Sequence, residues 1–178
     1  MTPNTRCSVL FISMGLGLAA LFAPAALPHT MHNRVLVVYN PSDSVPRGWY
    51  RIEPVGSLHA NSIVLARLPP EAAAVAAQRG YLPWSIPLLK RIGAMAPQSV
   101  CESEGIVRID GAVVATALSQ DGKHRPMQSW AQCRILAEGE LFLLSDTNPA
   151  SFDSRYFGPI AASAVIGSAW PLWTWSKP

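Results

Sequence analysis

Charge is scarce in this sequence, and one long stretch has none at all. Only 14% of the 178 residues are charged, and no charged residue lies between Cys7 and Pro28. The 14 Lys and Arg residues barely outnumber the 11 Asp and Glu residues, and no basic cluster offers the positive surface that nucleic acids require. We therefore expect no nucleic-acid partner. The 49% hydrophobic content also excludes a disordered chain.

The uncharged stretch, residues 7–28, is long enough to cross a membrane, for which about 20 apolar residues suffice. Arg6 precedes it and no Lys or Arg follows until Arg34, so the positive-inside rule places residues 29–178 outside the cytoplasm. The small residues at Ala23-Pro24-Ala25 offer an alternative, because a cleavable signal peptide ends in such residues. The length of the stretch favours a retained transmembrane anchor.

Cysteine is rare, and the three cysteines differ in their expected surroundings. Cys7 lies at the cytoplasmic edge of the apolar stretch, whereas Cys101 and Cys133 lie in the exported part, where a disulfide persists. We expect one structural bridge between Cys101 and Cys133. The four histidines lie far from both cysteines and form no zinc-binding spacing, so the sequence predicts neither a metal nor another cofactor.

Short apolar or alternating runs dominate the exported part and predict strands. They are Arg34–Tyr39, Gly48–Glu53, Ser62–Arg67, Leu88–Ile92, Gly105–Ile109, Ala112–Ala117 and Glu140–Ser145. Asp110-Gly111 between two of these runs is typical of a hairpin turn. Residues 69–80 carry a proline start, an alanine-rich middle and a glycine stop, which predict one short helix. The expected fold class is mainly β, an antiparallel domain with a single short helix.

The C-terminal sequence WPLWTW, residues 170–175, holds three of the six tryptophans. It is either a strand that closes the core or an aromatic surface suited to the headgroup layer of a membrane. Packing in the core is favoured, because a large exposed apolar surface is costly in water.

Two segments combine as a candidate for nucleophilic chemistry. Residues 40–50, NPSDSVPRGWY, place Ser44 among turn formers, where serines ordinarily bond their own backbone. Lys90 lies inside the apolar run 86–92, in which a strand turns every second side chain inward. An inward lysine has a lowered pKa and can be the general base that a serine nucleophile requires. The alternative is that Lys90 reaches water from an edge strand.

Polar residues are concentrated in a third segment, residues 144–159, LSDTNPASFDSRYFGP. Asp153 and Arg155 can form an ion pair that fixes this loop, and Ser151 can hydrogen-bond an amine. The alternative is a turn cluster whose polar groups only satisfy one another.

The order of these segments behind an anchor resembles the type I signal peptidase family. Ser42-x-Ser44-x-Pro46-x-Gly48 is similar to its nucleophile box, and Leu89-Lys90-Arg91-Ile92 to its lysine box. Residues 145–158 are similar to its final GDNxxxSxDSRxxG box, with Ser145 in place of the usual glycine. The short chain, the helix before Gly80-Tyr81-Leu82-Pro83 and the ending DSRYFGP are most similar to the TraF branch of conjugative-transfer peptidases.

The resemblance implies a signal-peptidase-like β domain in which Ser44 and Lys90 are catalytic. Ser44 would attack the scissile carbonyl, and Lys90 would take the serine proton. The backbone N–H of Ser44 and the hydroxyl of Ser42 would stabilise the tetrahedral intermediate.

Three further roles follow from the resemblance. Ser151 would orient the lysine amine, while Asp153 and Arg155 would support the site from behind. The resemblance also implies a single-pass protein of the inner membrane, with residues 1–6 in the cytoplasm, residues 7–28 as the anchor and the catalytic domain in the periplasm.

The function expected from the sequence is a membrane-anchored serine endopeptidase with a Ser/Lys dyad that processes a propilin for the conjugative mating-pair apparatus. Hydrolysis and cyclisation of the pilin both remain open, because water and an amine are competent nucleophiles for an acyl-enzyme. The expected partners are the propilin or another preprotein, the inner membrane and other conjugation-apparatus proteins. The alternatives are a general leader peptidase for exported proteins and, from another class, a non-catalytic scaffold of the conjugation apparatus.

Overall fold

The computed structural model describes residues 36–145 and 147–175, and β-strands predominate in them. The expected cytoplasmic segment 1–6 and the expected anchor 7–28 lie outside the described residues. Among those that are described, no helix has both the length and the apolar character needed to span a bilayer.

Eleven antiparallel strands form two sheets within the described part of the chain. They are Leu36–Asn40 (β1), Arg47–Glu53 (β2), Ile63–Ala66 (β3), Leu88–Met95 (β4), Ser99–Ser103 (β5), Ile106–Ile109 (β6), Ala112–Thr116 (β7), Cys133–Ile135 (β8), Glu140–Leu144 (β9), Ile160–Ala161 (β10) and Val165–Trp175 (β11). The larger sheet has the order β1-β2-β11-β3-β4-β9-β10, and the smaller sheet β7-β6-β5-β8. The prediction of a mainly β fold is confirmed.

The seven strands expected from the sequence are all present, with ends that differ by a few residues. Four further strands, β5, β8, β10 and β11, were not among them. β8 and β10 have three and two residues, too few for an alternating pattern to be recognised. The first expected strand began at Arg34, and residues 34 and 35 lie outside the described residues.

The expected helix is present as Pro70–Arg79 (α1). Pro70 stands in its first turn, and Gly80 ends it in the left-handed conformation with φ 72°. A second short helix, Ser154–Phe157 (α2), was not predicted. Asp153 caps α2 by accepting a hydrogen bond from the backbone N–H of Arg155.

Buried apolar side chains join the two sheets and support the segment that carries Ser44. One cluster packs the larger sheet against the smaller one; it consists of Ala94, Val100, Val107, Ile109, Leu136, Phe142 and Leu144. Another lies under the turn between β1 and β2; it consists of Val45, Tyr50, Ile52, Leu65, Leu89 and Ala169. The turn is therefore anchored in the core through Val45, which is fully buried.

The C-terminal tryptophans lie on a strand, but they do not pack in the core. β11 pairs with both β2 and β3, so it lies in the interior of the larger sheet. Even so, Trp170 is 54%, Trp173 73% and Trp175 44% exposed. The expectation of core packing was therefore wrong, because the end of β11 runs past the core-facing part of β3 and pairs with β2 alone.

Cys101 and Cys133 face each other directly in the register of β5 and β8. A disulfide joins them. The bridge joins two neighbouring strands of the smaller sheet.

Candidate active site

The turn that carries Ser44 folds around the side chain of Asn40, the last residue of β1. Asn40 Oδ1 accepts hydrogen bonds from the backbone N–H of Ser42 at 3.1 Å and from its hydroxyl at 2.8 Å. Asn40 Nδ2 donates to the carbonyls of Val45 and Pro46 at 3.1 and 3.2 Å. These bonds span both sides of Ser44, so Asn40 fixes the position of the candidate nucleophile.

Lys90 lies in the interior of the larger sheet and points into the protein. Its side chain is on β4, whose neighbours are β3 and β9, and it is 3% exposed. The alternative that Lys90 reaches water from an edge strand therefore does not apply. Val64 is its partner in the register of β3.

Three polar atoms meet at the inner end of the Lys90 side chain. Lys90 Nζ lies 2.6 Å from Ser44 Oγ and also hydrogen-bonds Ser151 Oγ. The two serine hydroxyls are 3.0 Å apart. The structure thus brings together Ser44, Lys90 and Ser151 from three separate segments of the sequence, in a geometry that allows proton transfer between serine and lysine.

Burial lowers the pKa of the Lys90 ammonium from 10.5 to about 8, because the apolar surroundings disfavour the charged form. The charge of Arg155 lowers this pKa further, whereas the carboxylate of Asp153 opposes the shift. A lysine with such a pKa is neutral in part of the molecules near neutral pH. It can then accept a proton from a hydroxyl at 2.6 Å.

Asp153 and Arg155 form a buried ion pair behind Ser151. Arg155 Nε and Nη2 donate to the two carboxylate oxygens of Asp153 at 2.7 and 2.8 Å, and the two side chains are 1% and 0% exposed. The remaining Arg155 donors reach backbone carbonyls, among them that of Ser151 at 2.9 Å and that of Pro149 at 2.7 Å. The pair therefore holds the loop that presents Ser151 to Lys90.

The same loop is tied to β9 by two serines. Ser154 Oγ accepts a hydrogen bond from the backbone N–H of Leu143 at 2.9 Å. Ser145 donates its backbone N–H to Asp153 at 3.0 Å, and its hydroxyl accepts the N–H of Asn148 at 3.0 Å. Ser145, which stands where the family usually has glycine, thus caps the turn, and the ion pair of Asp153 and Arg155 is still formed.

Ser42 lies beside Ser44, as the resemblance requires, but its hydroxyl is engaged. It donates to Asn40 Oδ1 at 2.8 Å and accepts the backbone N–H of Ser44 at 3.5 Å. The two donors expected to stabilise an oxyanion are therefore adjacent. Ser42 has to turn its hydroxyl away from Asn40 to serve a substrate.

A cleft of about 830 Å³ opens over these groups. One side of it belongs to the larger sheet and the serine turn, and the other to residues 118–127 and the rings near Ser151. It is lined by Val38, Tyr39, Asn40, Pro41, Ser42, Ser44, Leu65, Leu68, Tyr81, Leu82, Pro83, Ile86, Pro87, Leu88, Leu89, Lys90, Leu118, Gln120, Asp121, Gly122, Met127, Ala150, Ser151, Phe152 and Tyr156. Most of these side chains are apolar, and Ser44, Lys90 and Ser151 line the same cleft.

Sequence reasoning missed two parts of this site. Asn40 received no role, although an Asn before proline is a common signal for a side chain that bonds the backbone of a turn. The wall formed by residues 118–127 was also missed, because its contacts with Tyr81 join segments some 40 residues apart, and no local pattern reports them.

Comparison with known proteins defines the class to which this site belongs. The family model described as signal peptidase, peptidase S26, matches residues 9–174. The chain belongs to this family of serine peptidases. The resemblance drawn from its three motifs is therefore confirmed.

Within the family, the similar proteins are of the TraF type. A probable conjugal transfer protein TraF of Sinorhizobium fredii is 36% identical over 147 residues, which cover 77% of each chain. A plasmid transfer protein TraF of Escherichia coli is 28% identical over 178 residues, which cover 93% of this chain and 95% of the relative. A conjugal transfer protein TraF of Agrobacterium fabrum is 34% identical over 145 residues, which cover 76% of this chain and 81% of the relative.

A crystal structure of a signal peptidase I from Enterococcus faecalis is 19% identical in sequence and superposes with a TM-score of 0.37. The match covers 64% of this chain and 97% of that chain.

Proposed function

We propose that this chain is a membrane-anchored periplasmic serine endopeptidase that uses Ser44 and Lys90 to process a propilin for conjugation. One observation carries the proposal: a buried lysine of lowered pKa lies 2.6 Å from a serine hydroxyl in an apolar cleft. Membership of the signal peptidase family supports the class of reaction. The names of the TraF relatives, which concern conjugal and plasmid transfer, support a role in conjugation.

The proposed reaction proceeds in two steps. Ser44 Oγ attacks the scissile carbonyl while neutral Lys90 takes the hydroxyl proton, and the resulting ammonium donates this proton to the leaving amine as the peptide bond breaks. Water or a second amine then attacks the acyl-enzyme and gives its proton to Lys90, and the proton returns to Ser44 as the ester bond breaks. A linear or a cyclic product follows, according to which nucleophile attacks.

Three groups would assist both steps. The backbone N–H of Ser44 and the hydroxyl of Ser42 would donate to the oxyanion. Ser151, held by Arg155, would keep the Lys90 amine directed at Ser44. To donate to the oxyanion, the Ser42 hydroxyl has to turn away from Asn40, and the Ser44 N–H has to exchange the Ser42 oxygen for the substrate oxygen.

An aromatic face supports the proposed location at the inner membrane. Tyr39, Trp49 and Trp173 are direct partners across β1, β2 and β11, and they are 46%, 45% and 73% exposed. Trp175 lies beside them, with its ring centroid 6.2 Å from that of Tyr39. Aromatic rings of this kind favour the interface between lipid and water, so this aromatic face would rest in the headgroup layer.

Pilin maturation in donor cells tests the proposed function. Cells that carry Ser44→Ala should accumulate the unprocessed pilin, because the acyl-enzyme cannot form. Ser57→Ala, a change at an exposed serine outside the cleft, should leave processing intact. Mass spectrometry of the pilin distinguishes the forms, and a mature species lighter than the linear product by one water would be cyclic.

Two results would favour the alternatives. Normal maturation in cells with Ser44→Ala, when the variant is present at wild-type levels, would favour a non-catalytic scaffold. Cleavage of unrelated signal peptides by the purified enzyme, as efficient as that of the pilin precursor, would favour a general leader peptidase.

A further inference from the structure

The cleft is larger than a small substrate side chain, such as that of alanine, can fill. Its volume of about 830 Å³ lies in the range of sites that bury a whole drug-sized ligand. An alanine side chain is a single methyl group, so most of the apolar lining would remain in contact with water if the substrate offered small side chains alone. The cleft therefore has room for a second, larger side chain of the substrate.

An aromatic recess accounts for much of the unfilled lining. The rings of Tyr81 and Tyr156 flank that of Phe152, with centroid separations of 5.4 and 5.8 Å. Met127 adjoins Tyr81, whose hydroxyl lies 3.3 Å from its sulfur. Phe152 directly follows Ser151, so this aromatic recess begins one residue away from the serine that hydrogen-bonds Lys90.

The outer wall of the aromatic recess is fastened in place. Asp121 accepts hydrogen bonds from the Tyr81 hydroxyl at 2.5 Å and from Arg125 Nε at 2.7 Å. Arg79, at the end of α1, donates to the Pro126 carbonyl at 2.9 Å. Residues 118–127 are therefore tied to α1 at several points, and the recess exists before a substrate arrives.

The charged groups around the aromatic recess are paired within the protein. The guanidinium groups of Arg125 and Arg155 lie 5.5 and 5.7 Å from the ring centroids of Tyr81 and Tyr156, and each is bonded to a carboxylate. The charged residues that line the described cleft are Lys90 and Asp121, and Asp121 is already bonded to Tyr81 and Arg125. The hydroxyl of Tyr156 likewise accepts the backbone N–H of Leu118 at 2.9 Å. With its polar atoms satisfied in this way, the recess selects for apolar surface and against charge.

We propose that the aromatic recess binds one bulky apolar side chain of the substrate, such as Phe or Leu, near the scissile bond. The proposal rests on the proposed peptidase function and adds a second specificity element to it. Small residues would fit beside Ser44, and the bulky residue would be recognised by Tyr81, Met127, Phe152 and Tyr156.

Peptide binding tests the proposal without depending on catalysis. The full chain carrying Ser44→Ala, in detergent, is titrated with acetylated octapeptides of Ala and Ser in which a single Phe occupies each position in turn. At one position Phe should lower Kd by about tenfold or more relative to the peptide without Phe, because burial of a phenyl ring contributes at least this much.

A pair of variants connects the preference to the aromatic recess. Leu118→Trp, added to the Ser44→Ala chain, places a large side chain in the recess and should reduce the Phe advantage to about one. Val113→Trp is the matched control; Val113 is 62% exposed on β7, outside the cleft lining, and the advantage should persist. Thermal unfolding of both variants shows whether each one is folded.

The outcomes separate the two proposals. Equal binding of all peptides, or a Phe advantage that survives Leu118→Trp, would overturn the recess proposal. Cleavage of the same peptides by the wild-type chain is measured in parallel. Cleavage without a Phe preference would support the peptidase function and contradict the recess proposal. A Phe preference in binding without any cleavage would support the recess proposal and contradict the peptidase function.

Discussion

Lys90 combines a charge-bearing group with an almost fully buried position. Its amine contacts Ser44 and Ser151, and the apolar surroundings lower its pKa to about 8. Burial of Lys90 lowers the free energy of unfolding at pH values below its ordinary pKa of about 10.5, because the lysine is protonated there in the unfolded chain. The lowered pKa that would let Lys90 act as a base therefore also makes the stability of the protein depend on pH.

Lys90→Met should remove this dependence. Between pH 8 and 10.5 the unfolded wild-type chain binds a proton that the folded chain has lost, so the free energy of unfolding rises with pH in this window. The shift of the Lys90 pKa from 10.5 to about 8 corresponds to a rise of roughly 3 kcal/mol. Urea unfolding of wild type and Lys90→Met at several pH values measures the difference, and parallel curves for the two proteins would contradict the account.

At the scale of residues, the sequence motifs identified the groups that the structure brings together. Ser44, Lys90, Ser151, Asp153 and Arg155 were all named from the motifs, and they form one connected set of hydrogen bonds. The apolar run around Lys90 left both burial and an exposed edge position open, and the place of β4 between β3 and β9 decides for burial.

The role of Asn40 and the wall formed by residues 118–127 could not be predicted in the same way. The role of Asn40 depends on how the turn bends back onto its side chain, and that of Asp121 on a contact with Tyr81 across the cleft. Both are consequences of tertiary structure.

At the scale of elements, β2 and β11 approach each other so closely that a glycine is required. Gly48, the last residue of the nucleophile motif, has φ 143°, and a Cβ atom there would lie 2.1 Å from the carbonyl oxygen of Trp173. The motif glycine therefore lets the C-terminal strand pair beside the strand that follows Ser44.

Gly48→Ala should force these two strands apart. A side chain with this positive φ and this overlap is expected to lower the free energy of unfolding by about 2 kcal/mol or more. Gly56→Ala is the control, since a Cβ atom at Gly56 meets nothing within 4 Å, and it should change stability by less than about 0.5 kcal/mol. Chemical denaturation measures both, and equal stabilities would show that the strands adjust without strain.

The strands that were missed show where local patterns lose information. β5 alternates buried Val100 and Glu102 with less buried residues, and the buried position of a glutamate hides the alternation. Glu102 is satisfied by the backbone N–H groups of Gly105 and Ala131, a long-range arrangement that the sequence does not disclose. Of the long strand β11, only the end, residues 170–175, was considered as a strand, because Gly167 and Pro171 interrupt the pattern and both residue types are rare inside strands.

At the scale of the whole molecule, the aromatic face and the cleft share a residue. Tyr39 lines the cleft and also contacts Trp49, with ring centroids 5.1 Å apart. A domain that rests on the lipid surface through its aromatic face would thus hold the entrance of the cleft close to the membrane. This arrangement suits a substrate that is itself embedded in the bilayer.

The aromatic face should be accessible to lipid. When the full chain is reconstituted in vesicles, brominated lipids should quench part of its tryptophan emission, and the double change Trp173→Ser and Trp175→Ser should reduce the quenched fraction. Trp84→Ser removes an equally exposed tryptophan outside this face, 60% exposed, and should not reduce that fraction. Equal losses for both changes would contradict the proposed orientation.

The rate of Ser44 acylation shows whether Ser44 is a nucleophile activated by Lys90. A serine-reactive acylating probe is incubated with the full chain at pH 6 to 10, and intact mass and peptide mapping follow the adduct. An adduct is expected on Ser44, and its rate of formation should rise about tenfold per pH unit and level off above a pH of about 8, where Lys90 is neutral. No such adduct is expected in Lys90→Met. Absence of a Ser44 adduct from the wild-type chain, or an equal rate in Lys90→Met, would contradict the activation of Ser44 by Lys90.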